Sequence, residues 1–138
     1  MKLKGRKVNP GMAEGEAIVT QIPFSFLGEL DPATGKIPSP SHDLFNKSIA
    51  GRIFVCPGGK GSSAGPGVAY LAKQSGNMPK AIIVKEIEPV IAAAIIFADI
   101  PAVDQLDQDP LQAIETGDYV KVDADRGIVE VIKKKRNR

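Results

Sequence analysis

The sequence predicts an α/β domain with a parallel strand core and an added antiparallel portion. Three observations predict it. Short apolar runs alternate with helix-like segments through the middle of the chain, from about residue 52 to residue 103. A glycine-rich turn, Pro57-Gly58-Gly59-Lys60-Gly61-Ser62-Ser63-Ala64-Gly65, joins one of those runs to a helix. Near the end, apolar and polar residues alternate on either side of Asp123-Ala124-Asp125-Arg126-Gly127, which has the turn chemistry of a hairpin.

In chain order, an opening strand pair is expected near residues 4–8 and 16–21. Residues 22–48 are rich in Pro, Gly, Ser and Asp, yet they hold Phe24, Phe26, Leu27, Leu44 and Phe45. A flexible linker would not carry three of the chain's five phenylalanines, so this reads as a packed functional loop. Ile53, Phe54, Val55 and Cys56 read as a buried strand over 52–56, and the turn leads to a helix over 63–75. Gly76 suits the helix stop, with Pro79 beyond it. A strand over 80–85 follows, then a helix from 88 or 89 to about 97, with Pro89 suited to its first turn. A short strand is expected around 102–103, and the hairpin strands span 118–122 and 127–132. There is no internal repeat. One domain is expected over 1–132, followed by a basic tail, 133–138, that reads as disordered.

Composition narrows the function classes. A hydrophobic content of 43% and a charged content of 25% suit a globular protein with a real core. The net charge of +2 hides an asymmetry, because the tail holds five of the eighteen basic residues. With few aromatics and no basic stripe elsewhere, nucleic-acid binding is not expected. One cysteine excludes an intrachain disulfide, and Cys56 with His42 cannot form a standard zinc or iron–sulfur site within the chain. Met1-Lys2-Leu3-Lys4-Gly5-Arg6-Lys7 is charged, so no signal peptide is predicted. The apolar run from Val90 to Ala98 is too short to span a bilayer. A soluble, cytoplasmic protein with no membrane partner is expected.

The glycine-rich turn is the first place to look for chemistry. Backbone N–H groups left free at a helix N-terminus form a ready site for an anion. Two serines and a lysine lie in the same turn. Either serine would also serve as an ordinary helix cap. His42, the single histidine, reads as a structural or exposed loop residue rather than a catalytic one. Glu86 and Glu88 stand open between a polar site pair and helix-entry carboxylates.

Several motifs resemble one family together, over roughly residues 5–132. They are Glu14-Gly15-Glu16-Ala17, Pro23-Phe24-Ser25-Phe26-Leu27-Gly28, Asp31-Pro32, Thr34-Gly35, His42, Leu44 and Ser48-Ile49-Ala50-Gly51. The glycine-rich turn is the centre, and Pro79, Ala81-Ile82-Ile83, Glu86, Glu88, Ile100-Pro101 and Gly117-Asp118 complete the set. In this order they resemble the small subunit, or swivel domain, of the aconitase X family. The resemblance implies a swivelling β/β/α domain, as in the mobile domain of aconitase. It implies a subunit of a hydro-lyase, active only with a large subunit that carries an iron–sulfur cluster, expected to be of the four-iron four-sulfur type. The archaeal branch has a free-standing small subunit and dehydrates (R)-5-phosphomevalonate to trans-anhydromevalonate 5-phosphate, in isoprenoid biosynthesis. That is the reaction implied here. A bacterial branch dehydrates cis-3-hydroxy-L-proline, and this is the alternative. A non-catalytic anion-binding module, or a phosphocarrier lacking its histidine, stands behind both.

The resemblance also implies residue roles. Ser62 is the expected catalytic proton acceptor, with Lys60, Gly61 and Ser63 expected to bind substrate, and no metal ligand comes from this chain. Ala64, Gly65 and Pro66 stand where the family pattern has threonine or serine followed by Gly-Ser, so no auxiliary hydroxyl is expected there.

Overall fold

In the computed structural model, which describes residues 1–60 and 65–134, strand pairing starts earlier than the sequence pattern predicts. The expected strand over 4–8 is two strands, β1 (Lys2–Lys4) and β2 (Arg6–Asn9). The next strand, β3 (Met12–Val19), is longer than predicted and begins four residues earlier than 16. The remaining strands are β4 (Ile53–Cys56), β5 (Ala81–Val84), β6 (Ala102–Asp104), β7 (Tyr119–Asp123) and β8 (Ile128–Ile132), all close to expectation.

These strands form a mixed sheet of order β1-β8-β7-β3-β4-β5-β6-β2. The stretch β3-β4-β5-β6 is parallel, and β1, β8, β7 and β2 join it antiparallel. The two ends of this order are neighbours in the chain, separated by Gly5 alone. The sheet therefore curls until its edges meet. At the seam the Gly5 N–H donates to the Gly127 carbonyl at 2.8 Å. A Cβ on Gly5 would stand 2.5 Å from the Asp104 carbonyl oxygen, so the close approach requires glycine.

Period-two alternation divides the apolar residues between two cores. Ile53 and Val55 of β4 pack with Ala81, Ile83, Val103, Val120, Val122, Val129 and Leu3 within the curl. Phe54 and Cys56 of the same strand pack with Ile82 and Val84 toward helices α2 (Gly65–Gln74) and α3 (Pro89–Ala98). All of β4 and β5 is buried on both faces, as parallel strands covered by helices must be. Each large side chain so buried contributes about 1.5–3 kcal/mol.

The segment 22–48 is part of this core. Phe24 and Phe26 are buried, and their rings meet edge-on with centroids 5.0 Å apart. Phe24 also meets Phe54 of β4 at 4.9 Å. Two short pieces escape the sequence pattern: α1 (Phe26–Glu29), a turn interrupted at Leu27 and Gly28, and α4 (Pro110–Ala113), capped by Asp109. Gly76, with φ near +74°, follows α2 as predicted. Of the basic tail, Lys133 and Lys134 are bonded to the body. Lys133 Nζ donates to Asp118 at 2.7 Å, and the Lys134 N–H donates to the same carboxylate at 3.0 Å. Residues 135–138 lie outside the described residues. No helix among the described residues is long and apolar enough to cross a membrane.

Candidate functional site

Because β3, β4 and β5 run parallel, the loops leaving their carboxyl ends meet on one side of the sheet. That end is where parallel sheets bind ligands. The loop after β3 brings in Phe24, whose N–H donates to the Gly58 carbonyl at 2.8 Å and which forms a parallel bridge with Gly59. The loop after β5 brings in Glu86 and Glu88. Pro23, Pro57, Gly58, Gly59, Glu86, Ile87 and Glu88 line a cleft of about 380 Å³. A roomier groove of about 610 Å³ lies on β3, β7 and β8, lined by Met12, Glu14, Lys121 and Ile128 among others, away from these strand ends.

Gly59 is a glycine for a visible reason. A Cβ there would overlap the Glu88 carboxylate. That carboxylate is the N-cap of α3, accepting the Val90 N–H at 3.1 Å and the Ile91 N–H at 2.5 Å. The alternatives for Glu88 thus resolve toward a helix cap that also walls the cleft. Glu86 lines the same cleft.

Lys60 is the one sequence-predicted site residue that the described chain contains. Its ammonium meets Glu29 Oε2 at 2.5 Å. Glu29 Oε1 accepts the Ser25 N–H at 2.7 Å, so the carboxylate ties the loop after β3 to the turn after β4. The Lys60 side chain is 46% exposed and that of Glu29 15%. Gly61, Ser62 and Ser63 lie outside the described residues, as does the expected helix start at Ser63.

His42 is buried beneath Phe24, with ring centroids 6.1 Å apart. Its Nδ1 accepts the Leu44 N–H at 3.0 Å, and its Nε2 has no partner among the described residues. The neighbouring Asp43 accepts the Thr20 hydroxyl at 2.6 Å and the Gln21 N–H at 2.8 Å. This pair braces the loop from within and presents no group to the cleft. Asp104, which sequence reasoning missed, is fully buried. It holds Arg6 in a two-pronged pair at 2.9 and 2.8 Å and accepts the Ile87 N–H at 3.2 Å. The Asp104 bond raises the pKa of Arg6 further. The one available signal was its place at the end of an apolar strand, where a carboxylate is unexpected.

An iron–sulfur cluster does not fit these residues. Burial pushes the Cys56 thiol up to about 12, only partly opposed by the Gly58 N–H, and the side chain points into the helix-side core. Among the described residues no group of three His, Cys, Asp or Glu side chains could hold a metal ion.

Residues 2–131 match the Aconitase X swivel domain family. The chain belongs to that family. It is 49% identical to the phosphomevalonate dehydratase small subunit of Thermococcus kodakarensis over 96% of this chain and 97% of that one. It is 44% identical to the protein of the same name from Methanosarcina acetivorans, over 98% of this chain and 94% of the relative. Among solved structures it is similar to the crystal structure of Thermococcus kodakaraensis aconitase X in its holo-form. The TM-score is 0.90, the identity 48%, and the match covers 96% of this chain and 99% of the other. A solution structure of a UPF0107 protein matches with TM-score 0.87 and 44% identity, over 96% of this chain and all of that one. The swivel-domain fold implied by the sequence motifs is thus the fold observed.

Proposed function

We propose that this chain is the small subunit of a hydro-lyase that dehydrates (R)-5-phosphomevalonate to trans-anhydromevalonate 5-phosphate. The observation that carries this reading is the near full-length match, at 44–49% identity, to relatives named phosphomevalonate dehydratase small subunit. The strand-end cleft supports it, because the glycine-rich turn that lines it through Pro57, Gly58 and Gly59 continues directly into Lys60. A larger partner subunit completes the site. An aconitase-like dehydratase points to iron–sulfur chemistry, and the residues of this chain do not suit a cluster, so we assign the cluster to the partner.

The reaction removes a proton from the carbon next to the carboxylate and a hydroxyl from the carbon beyond it. We assign the proton to Ser62 Oγ. The C–H electron pair becomes the new double bond as the C–O bond breaks, the departing hydroxide takes up a proton to leave as water, and Ser62 gives the abstracted proton to solvent before the next turnover. The departing hydroxyl is handled outside this chain. A serine accepts a proton only when ionised, and backbone N–H groups with a nearby cation favour the ionised form. Lys60, Gly61 and Ser63 are assigned to holding the substrate's anionic groups, for which N–H donors and an ammonium are suited.

The test is reconstitution of this chain with its large subunit under anaerobic conditions. The expected result is a higher kcat/KM for 5-phosphomevalonate than for cis-3-hydroxy-L-proline, and no turnover by this chain alone. Preference for hydroxyproline would replace the substrate and keep the dehydratase. Turnover by the isolated chain would overturn the two-subunit reading.

A further inference from the structure

The ion pair between Lys60 and Glu29 spans thirty-one residues of sequence and joins two of the three loops that build the cleft. We propose that Glu29 is a positioning residue for substrate binding: it fixes the Lys60 ammonium at the mouth of the turn, aimed at an anionic group of the substrate. The inference rests on the reading that Lys60 faces the substrate.

Lysine carries its charge on a flexible four-carbon stem, and ordering that stem opposes binding. Glu29 removes much of that freedom before any ligand arrives. The carboxylate is itself held, because Oε1 accepts the Ser25 N–H at 2.7 Å while Oε2 takes Lys60. The Ser25 end is fixed in turn. Its neighbour Phe24 is buried, bonded to Gly58 and bridged to Gly59 immediately before Lys60. Lys60, Glu29, Ser25, Phe24 and Gly59 therefore close a ring of contacts around the base of the turn. An ammonium has three donors, and one goes to Glu29. Among the described residues the other two have no partner, which leaves them for a phosphate or carboxylate oxygen. A half-exposed ion pair adds little to stability, so stability alone does not account for the arrangement.

A competing role has the opposite sign. If Glu29 merely occupied Lys60, its negative charge would repel the substrate, and removing it would tighten binding. The experiment separates the two. Glu29→Gln keeps an acceptor for the Ser25 N–H and removes the charge. Glu29→Gln, Lys60→Ala and the double variant are each reconstituted with the large subunit. They are assayed with whichever of the two hydroxy acids the complex turns over, and thermal midpoints are recorded beside the kinetics.

Glu29→Gln is expected to raise KM about tenfold, the size of one charged hydrogen bond lost, with kcat within about twofold. Lys60→Ala is expected to raise KM at least as much. The double variant should be no worse than Lys60→Ala, because Glu29 acts only through Lys60. An unchanged or lowered KM for Glu29→Gln, beside a raised KM for Lys60→Ala, overturns the positioning role and leaves the Lys60 reading standing. Additive effects also overturn it, by showing that Glu29 acts through the loop instead. An unchanged KM for Lys60→Ala removes the Lys60 reading, and this inference with it.

Discussion

Two lysine–carboxylate pairs in this molecule place the same groups in different surroundings. At the β7–β8 corner, the Asp118 side chain is wholly buried. It accepts from Lys133 at 2.7 Å, from the Glu115 N–H at 2.8 Å and from the Lys134 N–H at 3.0 Å. Beside the strand-end cleft, Glu29 accepts, among the described residues, from the Ser25 N–H and from Lys60, and that lysine stands half in solvent. The first carboxylate has its acceptor sites filled by a single corner of the fold. The second connects two loops, and among the described residues its lysine has no other partner. Burial and several hydrogen bonds suit Asp118 to a structural role, whereas the exposed Lys60 ammonium at the carboxyl ends of parallel strands is the one we propose meets substrate.

The largest effect is expected within the turn. Ser62→Ala in the reconstituted enzyme should lower kcat by roughly two to four orders of magnitude, the range for a lost general base. Its cost to stability should stay near 1 kcal/mol even if Ser62 also caps the helix. Ser63→Ala, measured beside it, should retain most of the rate. A near-normal rate for Ser62→Ala would reduce that serine to a cap.

At the other corner the signs reverse. Asp118→Asn should cost about 1–3 kcal/mol, because it weakens several bonds to a buried charge, while leaving KM unchanged. Urea unfolding of the free chain reads the first quantity and the reconstituted assay the second. Burial pushes the Asp118 carboxyl up, but the Lys133 bond and the Glu115 and Lys134 N–H groups outweigh it, so the carboxyl lies below the usual carboxylate range. A carboxylate with a lowered folded-state pKa adds stability above its unfolded pKa and loses it as pH falls through the folded one. Stability should therefore fall on acidification below about pH 4, with a shallower fall in Asp118→Asn. Some slope should persist, because Lys85 holds Asp109 low and Arg126 holds Asp123 low.

Much of this architecture is legible in the sequence, for physical reasons. Ile53, Phe54, Val55 and Cys56 form an uninterrupted apolar run bounded by a glycine turn, and only a doubly covered strand needs one. The hairpin strands of β7 and β8 alternate because one face of each is wet. The break at Gly5 is not legible, because the reason for it lies at Asp104 and Gly127, about a hundred residues away. Glu29 is invisible for the same reason, since its partner Lys60 is brought near by the Phe24–Gly59 bridge rather than by any local period. Glu88 shows the opposite case. A carboxylate before Pro89 and an apolar run is a local cap signal, and the cap is there. Glu88→Ala should cost about 1 kcal/mol in a urea melt, through the lost cap on α3.

The smallest effect is expected at a third pair, which serves as the control for the first two. Lys85 Nζ lies 3.1 Å from Asp109 Oδ2, with side-chain exposures of 52% and 32%. Like Lys60, this lysine follows a parallel strand and reaches a carboxylate on another loop. Unlike Lys60, it belongs to a groove formed with residues 105–110 rather than to the glycine-rich turn. Exposed pairs of this kind contribute roughly 0–1 kcal/mol, so Lys85→Ala should shift the urea midpoint barely at all. Asp109→Ala should cost more, about 1 kcal/mol, because Asp109 also caps α4 by accepting the Leu111 N–H at 3.0 Å. Neither change should move KM. A raised KM for Lys85→Ala would show that any lysine lost from this end of the sheet weakens substrate binding through net charge. The tenfold effect expected at Lys60 would then no longer distinguish a placed ammonium from a general field. A silent Lys85→Ala beside a deficient Lys60→Ala would leave position as the property that matters.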